Sequence, residues 1–226
     1  MRPLHVAVLG AKSTGKSWLT QAVVSVLHIR GLTAHAVDDV VPQWCSRTGR
    51  SPEHQDQVDI AQQQVSAAQL MTASSPNAWV MLDTPPLMTA VYSDLLFDDK
   101  SLYPMALAHQ AHYDITLVTG LDLPWAADEL QRDGVQLRIS ADNLVRQALA
   151  DAGMPYRVVY GQGPRRLNNA LLALGLQGED LTAQDTRVNG QFSINQGRSL
   201  WQCNECSDPG CEHKLFTNLL ARRTDG

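Results

Sequence analysis

The chain has 226 residues, 44% of them hydrophobic, and a formal charge of −5 from 18 Lys and Arg against 23 Asp and Glu. That length and composition support one sizeable core with room for an appendage, and the acidic balance argues against a general nucleic-acid binder. No apolar run approaches the roughly 20 residues of a membrane span, and Met1-Arg2-Pro3 leads into an apolar strand with no signal-peptide pattern, so a cytoplasmic protein without a membrane partner is the expectation.

Residues 5–9 (HVAVL) read as a short buried strand, and Gly10-x4-Gly15-Lys16-Ser17 follows directly. A helical pattern then runs to about His28 and is ended by Gly31. This is the Walker A order in strand-loop-helix context. Its glycines let successive N–H groups curl round a phosphate, and the helix start adds its positive end. Lys16 reaches the terminal phosphates of ATP and the Ser17 hydroxyl ligates Mg²⁺. The expected nucleotide contacts are Gly10, Ser13, Thr14, Gly15, Lys16 and Ser17, with Trp18 in the helix's first turn.

Further along, residues 32–37 read as strand two, ending in Asp38-Asp39, and 54–73 as a helix rich in Gln and Ala. Residues 78–82 form strand three, closed by Asp83; 101–112 are helical and 115–119 are strand four. Ser140 caps a helix to about Ala152, 156–160 is strand five, and 164–174 is a last helix. Repeated strand-helix units specify a P-loop NTPase three-layer sandwich: a five-stranded parallel sheet with helices on both faces. Ligands of such sheets sit beyond the carboxyl ends of the strands, where Asp38, Asp39 and Asp83 fall.

Asp83, closing "AWVMLD", fits a Walker B acid placed to hold Mg²⁺ directly or through water, with a strand-end cap as the bland alternative. Asp38 and Asp39 point opposite ways on an extended segment, so one of them is suited to accept a substrate hydroxyl's proton or to bind a ribose. Asp39 is the favoured one, against a turn-forming or helix-capping role.

The stretches "GAKSTGKS", "DQVDIAQQQ", "LDTPPLMTAVYSDLLF", "YDITLVTGLDLPWAADELQRDG" and "RISADNLVRQALADAGMPYRVVYGQGPRRLNNAL" together resemble the nicotinamide riboside kinase domain of the bifunctional NAD-biosynthesis regulators, over residues 4–174. The resemblance implies a nucleoside-kinase-type sheet with the Walker B strand beside the Walker A strand. It puts Asp122 and Trp125 in a substrate-side loop, where Trp125 either stacks on a base or pyridine ring or is a core aromatic in a lid hinge. Thr84, after the Walker B acid, belongs to the same substrate side. Arg138 matches the family's lid arginine, which neutralises charge on the transferring phosphoryl group, and Arg166 matches a position near the adenine end. Arg132 lies one place from another family arginine, whose aligned position holds Gln131. Either Arg132 or Arg138 reads alternatively as a solvated helix charge.

Two departures from the family pattern stand out. Where the family usually has Glu-Tyr-Ala-Arg after strand two, this chain has Asp39-Val40-Val41-Pro42; where the family often has Asp-Thr-Asp, it has Asp83-Thr84-Pro85-Pro86. Both bear on the acceptor more than on phosphoryl transfer. The adenylyltransferase and DNA-binding portions of the bifunctional proteins have no counterpart here.

From about Gly175 the sequence departs from that family. The expected division is a kinase-like domain over 1–176 and an extension over 177–226. "RVNGQFSI" reads as a small hairpin around Asn189-Gly190. Cys203-x2-Cys206-x4-Cys211-x-His213 follows, with Asp208-Pro209-Gly210 supplying a turn. Three thiols and an imidazole match a Cys₃His structural zinc site, although Cys-x-His replaces the usual second Cys-x2-Cys; an iron–sulfur cluster and free thiols are the alternatives. Lys214, Arg222 and Arg223 are offset by Glu205, Asp208 and Glu212, so a nucleic-acid partner is not expected of this tail.

Two functions remain open at this level. One is a kinase transferring the γ-phosphoryl of ATP to a small-molecule nucleoside, with nicotinamide riboside the leading acceptor and Lys16, Asp39, Asp83 and Arg138 the catalytic set. The other is a nucleotide-dependent regulatory ATPase or partner-binding protein with a zinc-stabilised tail. A homo-oligomer is compatible with either.

Overall fold

The five expected strands form and pair in parallel as one sheet: β1 (His5–Leu9), β2 (Ala34–Val37), β3 (Trp79–Asp83), β4 (Ile115–Thr119) and β5 (Arg157–Val159). Their spatial order is β2-β3-β1-β4-β5. The computed structural model describes residues 2–123 and 132–178, with 132–134 described by backbone alone. Seven α-helices connect or flank the strands among these residues: α1 (Lys16–Ile29), α2 (Val40–Thr48), α3 (Gln57–Ser74), α4 (Pro86–Phe97), α5 (Tyr103–Gln110), α6 (Arg132–Asp151) and α7 (Gly163–Ala173).

Strands buried on both faces need continuous apolar runs, and the central strands β1, β3 and β4 have them. Alternate residues Val6, Val8, Trp79, Met81 and Leu117 meet Leu19, Val23 and Leu27 of α1 and Leu167 and Leu171 of α7 on one face. On the other, Leu9 and Val118 meet Leu87, Met88 and Val91 of α4 and Ala141, Val145 and Leu149 of α6. Val80 and Leu82 meet Ala68 of α3 on that same side. The result is the expected three-layer sandwich. β3 lies directly beside β1, in a register that sets Asp83 opposite Val8, so the Walker B acid comes level with the start of the phosphate loop.

Several boundaries differ from the sequence reading for identifiable reasons. The helix expected from Ser140 begins at Arg132, and Ser140 lies within it. Its core-facing stripe is Arg138, Ala141, Asp142, Val145 and Leu149, a helical spacing in which two charged residues hide the periodicity. α2 and α4 were not anticipated. Asp39 caps the short α2, which Gly49 ends at φ 68°, and Pro86 is the first residue of α4, where a missing N–H costs nothing. The helix expected over 54–73 divides into a 3₁₀ turn, His54–Asp56, and α3. Among the described residues no helix is long and apolar enough to cross a membrane. The tail with Cys203, Cys206, Cys211 and His213, its hairpin, and Trp125 lie outside the described residues.

Candidate active site

The phosphate loop bends as its sequence demands. Gly10 has φ 142° and Gly15 φ 75°, and Ser13 joins them in the left-handed region at 57°. A Cβ on Gly10 would come within 2.0 Å of Thr119 Oγ1, so only glycine passes there. Thr14 is fully buried and turned inward: its hydroxyl donates to Ala11 O at 2.6 Å and lies 2.6 Å from that of Thr119. Lys16, the first residue of α1, folds back so that its Nζ donates to Ala11 O at 3.2 Å across the loop. Lys12 N donates to Tyr92 Oη of α4 at 2.9 Å, which ties the loop to the opposite layer.

Ser17 and Asp83 meet across this loop. The Ser17 hydroxyl donates to Asp83 Oδ2 at 2.5 Å, and Thr84 Oγ1 donates to Oδ1 at 3.0 Å. Asp83 is 1% exposed. Burial pushes its carboxyl above the usual range, Lys16 and the two hydroxyl hydrogen bonds oppose that, and the charge of Asp38 adds to it. A hydroxyl and a carboxylate, both hard oxygen donors beside a lysine, are the donor set that Mg²⁺ takes.

Thr84 holds φ 54°, a left-handed conformation that is uncommon for any side chain and an outlier for a β-branched one. Strain of this kind costs on the order of 1–3 kcal/mol and collects at functional sites. Thr84→Asn, which tolerates that backbone, is expected to raise stability by about 1 kcal/mol, a rise in melting temperature of roughly 2–4 °C. An unchanged or lower melting temperature would show that Thr84 sits there without strain.

Arg166 and Asp122 are held differently from the sequence reading. Arg166 is 1% exposed and donates to Thr14 O at 2.8 Å, Gly161 O at 2.7 Å and Gly120 O at 3.2 Å. Its Nη1 pairs with Asp122 Oδ1 at 3.1 Å, and Asp122 Oδ2 accepts from Gly161 N at 2.5 Å. Burial works to raise the Asp122 pKa, but the hydrogen bonds from Gly161 and Arg166 together with the Arg166 charge hold it below the usual range. The two residues expected on ligands therefore clamp the phosphate loop to the turns after β4 and β5.

Arg138 is 7% exposed, so the solvated-helix alternative does not hold for it; its Nη1 donates to Leu123 O at 3.1 Å. Burial, and then the nearby Arg166 guanidinium, lower its pKa. Asp39 Oδ1 accepts from Val41 N at 2.9 Å as the cap of α2, the alternative weighed for it. Asp38 is exposed and accepts from Gln21 Nε2 at 3.0 Å. Trp18 packs, partly buried, against the core beneath α1. The Arg132 side chain and Trp125 are outside the described residues. The sequence reading passed over Thr119, Gly120 and Gln64, although a threonine and a glycine closing an apolar strand at the ligand edge are a legible signal.

A phosphate loop opening a helix, with a buried acid on the adjoining parallel strand, defines a P-loop nucleotide-binding domain. Residues 5–166 match the AAA domain family model (AAA_28), and the chain belongs to that family. Its fold is similar to NadR in complex with NR (TM-score 0.62, 20% identity, 78% of this chain and 52% of that one) and to NadR in complex with NAD and AMP-PNP (0.61, 20%, 78% and 51%). The chain thus spans about half the length of the NadR chains. It is also similar to deoxyadenosine kinase from M. mycoides with products dCMP and dCDP bound (0.51, 13%, 76% and 99%) and to thymidylate kinase from Ehrlichia chaffeensis (0.51, 9%, 72% and 89%). No curated protein matches the chain. The likenesses bear out the kinase-type fold, and with the family match they bear out the NadR-like resemblance.

Proposed function

We propose that this chain is an ATP-dependent phosphotransferase acting on a nucleoside hydroxyl, with nicotinamide riboside the leading acceptor. The observation that carries the reading is the 2.5 Å Ser17–Asp83 contact beneath the Walker A lysine. Similarity to NadR bound to NR, and to a deoxynucleoside kinase, supports the acceptor class. Backbone N–H groups of Gly10 to Ser17 and the start of α1 cradle the phosphates of ATP. Lys16 swings from Ala11 O onto the terminal phosphates. Ser17 and Asp83 would hold Mg²⁺, which when bound neutralises phosphate charge. Arg138, poised on α6, adds positive charge at the transferring group. Asp39, at the end of β2, orients or deprotonates the acceptor hydroxyl. The kinase-like unit is residues 1–176, and the extension of 177–226 carries a Cys₃His zinc loop.

The second reading, a nucleotide-gated regulator, is favoured by one observation: carboxylates that would serve an acceptor are engaged otherwise, Asp39 on α2 and Asp122 on Arg166. The two readings separate on acceptor dependence. A kinase releases ADP only as fast as acceptor is phosphorylated; a regulator hydrolyses slowly with no acceptor and ignores one that is added. Full transfer by Asp39→Ala would remove that residue from the mechanism.

The tail is tested by metal content. About one equivalent of zinc per chain is expected in protein purified without chelator, lost in Cys203→Ser. Iron in its place, or less than about a tenth of an equivalent of either metal, would overturn the zinc assignment.

A further inference from the structure

The Gln64 side chain touches both strand ends that carry the candidate acids. It rises from α3 and is 1% exposed. Its Nε2 donates to Asp38 O at 3.2 Å and to Asp83 O at 3.4 Å, while its Oε1 accepts from Val40 N, the first residue of α2, at 3.0 Å. The register of β2 and β3 ends at the pair Val37 and Leu82. One residue further on, at Asp38 and Asp83, the Gln64 amide bridges the backbone in place of the next rung. Two N–H donors and one carbonyl acceptor on a flat group are what these three partners require, and only a side-chain amide supplies two N–H donors beside a carbonyl. An apolar side chain of the same size would fill the space and take these partners from two carbonyls and an N–H, of which the Asp83 contact is buried and the other two part-buried.

We propose that Gln64 is the positioning residue of this site. It fixes the spacing between the β3 end, which aims Asp83 at Ser17, and the β2 end, from which Asp39 starts α2, and so sets the metal-dependent part of nucleotide binding. The inference rests on the reading of Ser17 and Asp83 as the Mg²⁺–nucleotide site. It does not depend on which acceptor, if any, is phosphorylated.

The test is binding of a fluorescent ADP analogue to the full chain with and without Mg²⁺, for wild type, Gln64→Met and Gln64→Glu, from pH 5 to 8. In Gln64→Met the factor by which Mg²⁺ tightens binding is expected to fall on the order of tenfold, with Mg²⁺-free affinity within about twofold of wild type, because a misplaced ligand costs the metal and not the loop. Gln64→Glu separates positioning from packing. Its neutral carboxyl keeps one O–H donor and one carbonyl acceptor, whereas its ionised form sets a charge against two backbone carbonyls. The charged groups of the adjoining strand ends are the carboxylates of Asp38, Asp39 and Asp83, with Lys16 beside Asp83. Its Mg²⁺ factor, taken as a ratio to that of wild type at the same pH, should therefore stand near one at the acid end and fall as pH rises.

A folded Gln64→Met with the wild-type Mg²⁺ factor would overturn the proposal. Should that variant not fold, a Gln64→Glu profile parallel to wild type overturns it instead. Wild-type protein that binds the analogue equally with and without Mg²⁺ overturns the reading of the site itself, and the inference with it. Wild type that binds with Mg²⁺ but phosphorylates no nucleoside counts only against the kinase reading.

Discussion

Asp122→Ala is expected to destabilise the protein by roughly 3 kcal/mol, lowering its melting temperature by roughly 6–12 °C. The reason is what the substitution leaves behind. Arg166 is 1% exposed, and Asp122 is the carboxylate bonded to it. Removing one partner of a buried pair strands the other charge, at a typical cost of about 3–5 kcal/mol; the lower end applies because the Asp122 side chain keeps 32% of its surface in water. Gly161 N loses its acceptor as well. Arg166→Met should cost less than a stranded charge, although it frees the carbonyls of Thr14, Gly120 and Gly161. The double variant should be more stable than the sum of the two singles. Thermal melts of the four proteins check this. Strict additivity would mean that the two side chains do not act as a pair, and an unchanged Asp122→Ala melt would leave the residue available for substrate.

Asp83→Asn should separate stability from function. Turnover is expected to fall by about 10²–10³-fold, the usual loss when a preorganised charge at a reacting centre is removed. The ligand-free protein should nevertheless become more stable near neutral pH. Burial holds the native pKa of Asp83 above its unfolded value, so between those two pKa values the native state binds more protons than the unfolded state. Linkage then makes this residue's contribution full below the unfolded carboxylate pKa of about 4 and progressively lost as pH rises towards the raised native one. The Asn variant has no such proton to lose. Melting temperatures measured from pH 4 to pH 8 should show the gap between variant and wild type widening in the variant's favour. A gap that is flat, or that closes with pH, contradicts the account of Asp83.

The layers of this fold were legible because parallel strands announce themselves. Five apolar runs, the Gly10–Ser17 loop and a lone acid closing "AWVMLD" sufficed for the sheet, the P-loop and the Ser17–Asp83 pairing. α2 and α4 carry prolines at their starts, Pro42 and Pro86, which break a helix in its interior but suit its first turn, so their periodicity is hard to see in sequence. The start of α6 was missed because Arg138 and Asp142 occupy its buried stripe. Among site residues, those defined by local motif came together, and those assigned by resemblance proved harder to read. Asp122 and Arg166 look like ligand contacts in sequence but satisfy each other and the loop carbonyls, a pairing across 44 positions that no local pattern encodes. Gln64 was hidden in a run of three glutamines, and its importance comes from where α3 meets two strand ends.

The central claim is phosphoryl transfer to a nucleoside. The most direct measurement incubates the full chain with ATP, Mg²⁺ and a nucleoside panel headed by nicotinamide riboside, and identifies products by mass, with Lys16→Met as the blank. The account predicts one acceptor gaining a single phosphoryl group in step with ADP release, and no such product from the blank. Tight ATP binding with every nucleoside recovered unchanged would contradict it.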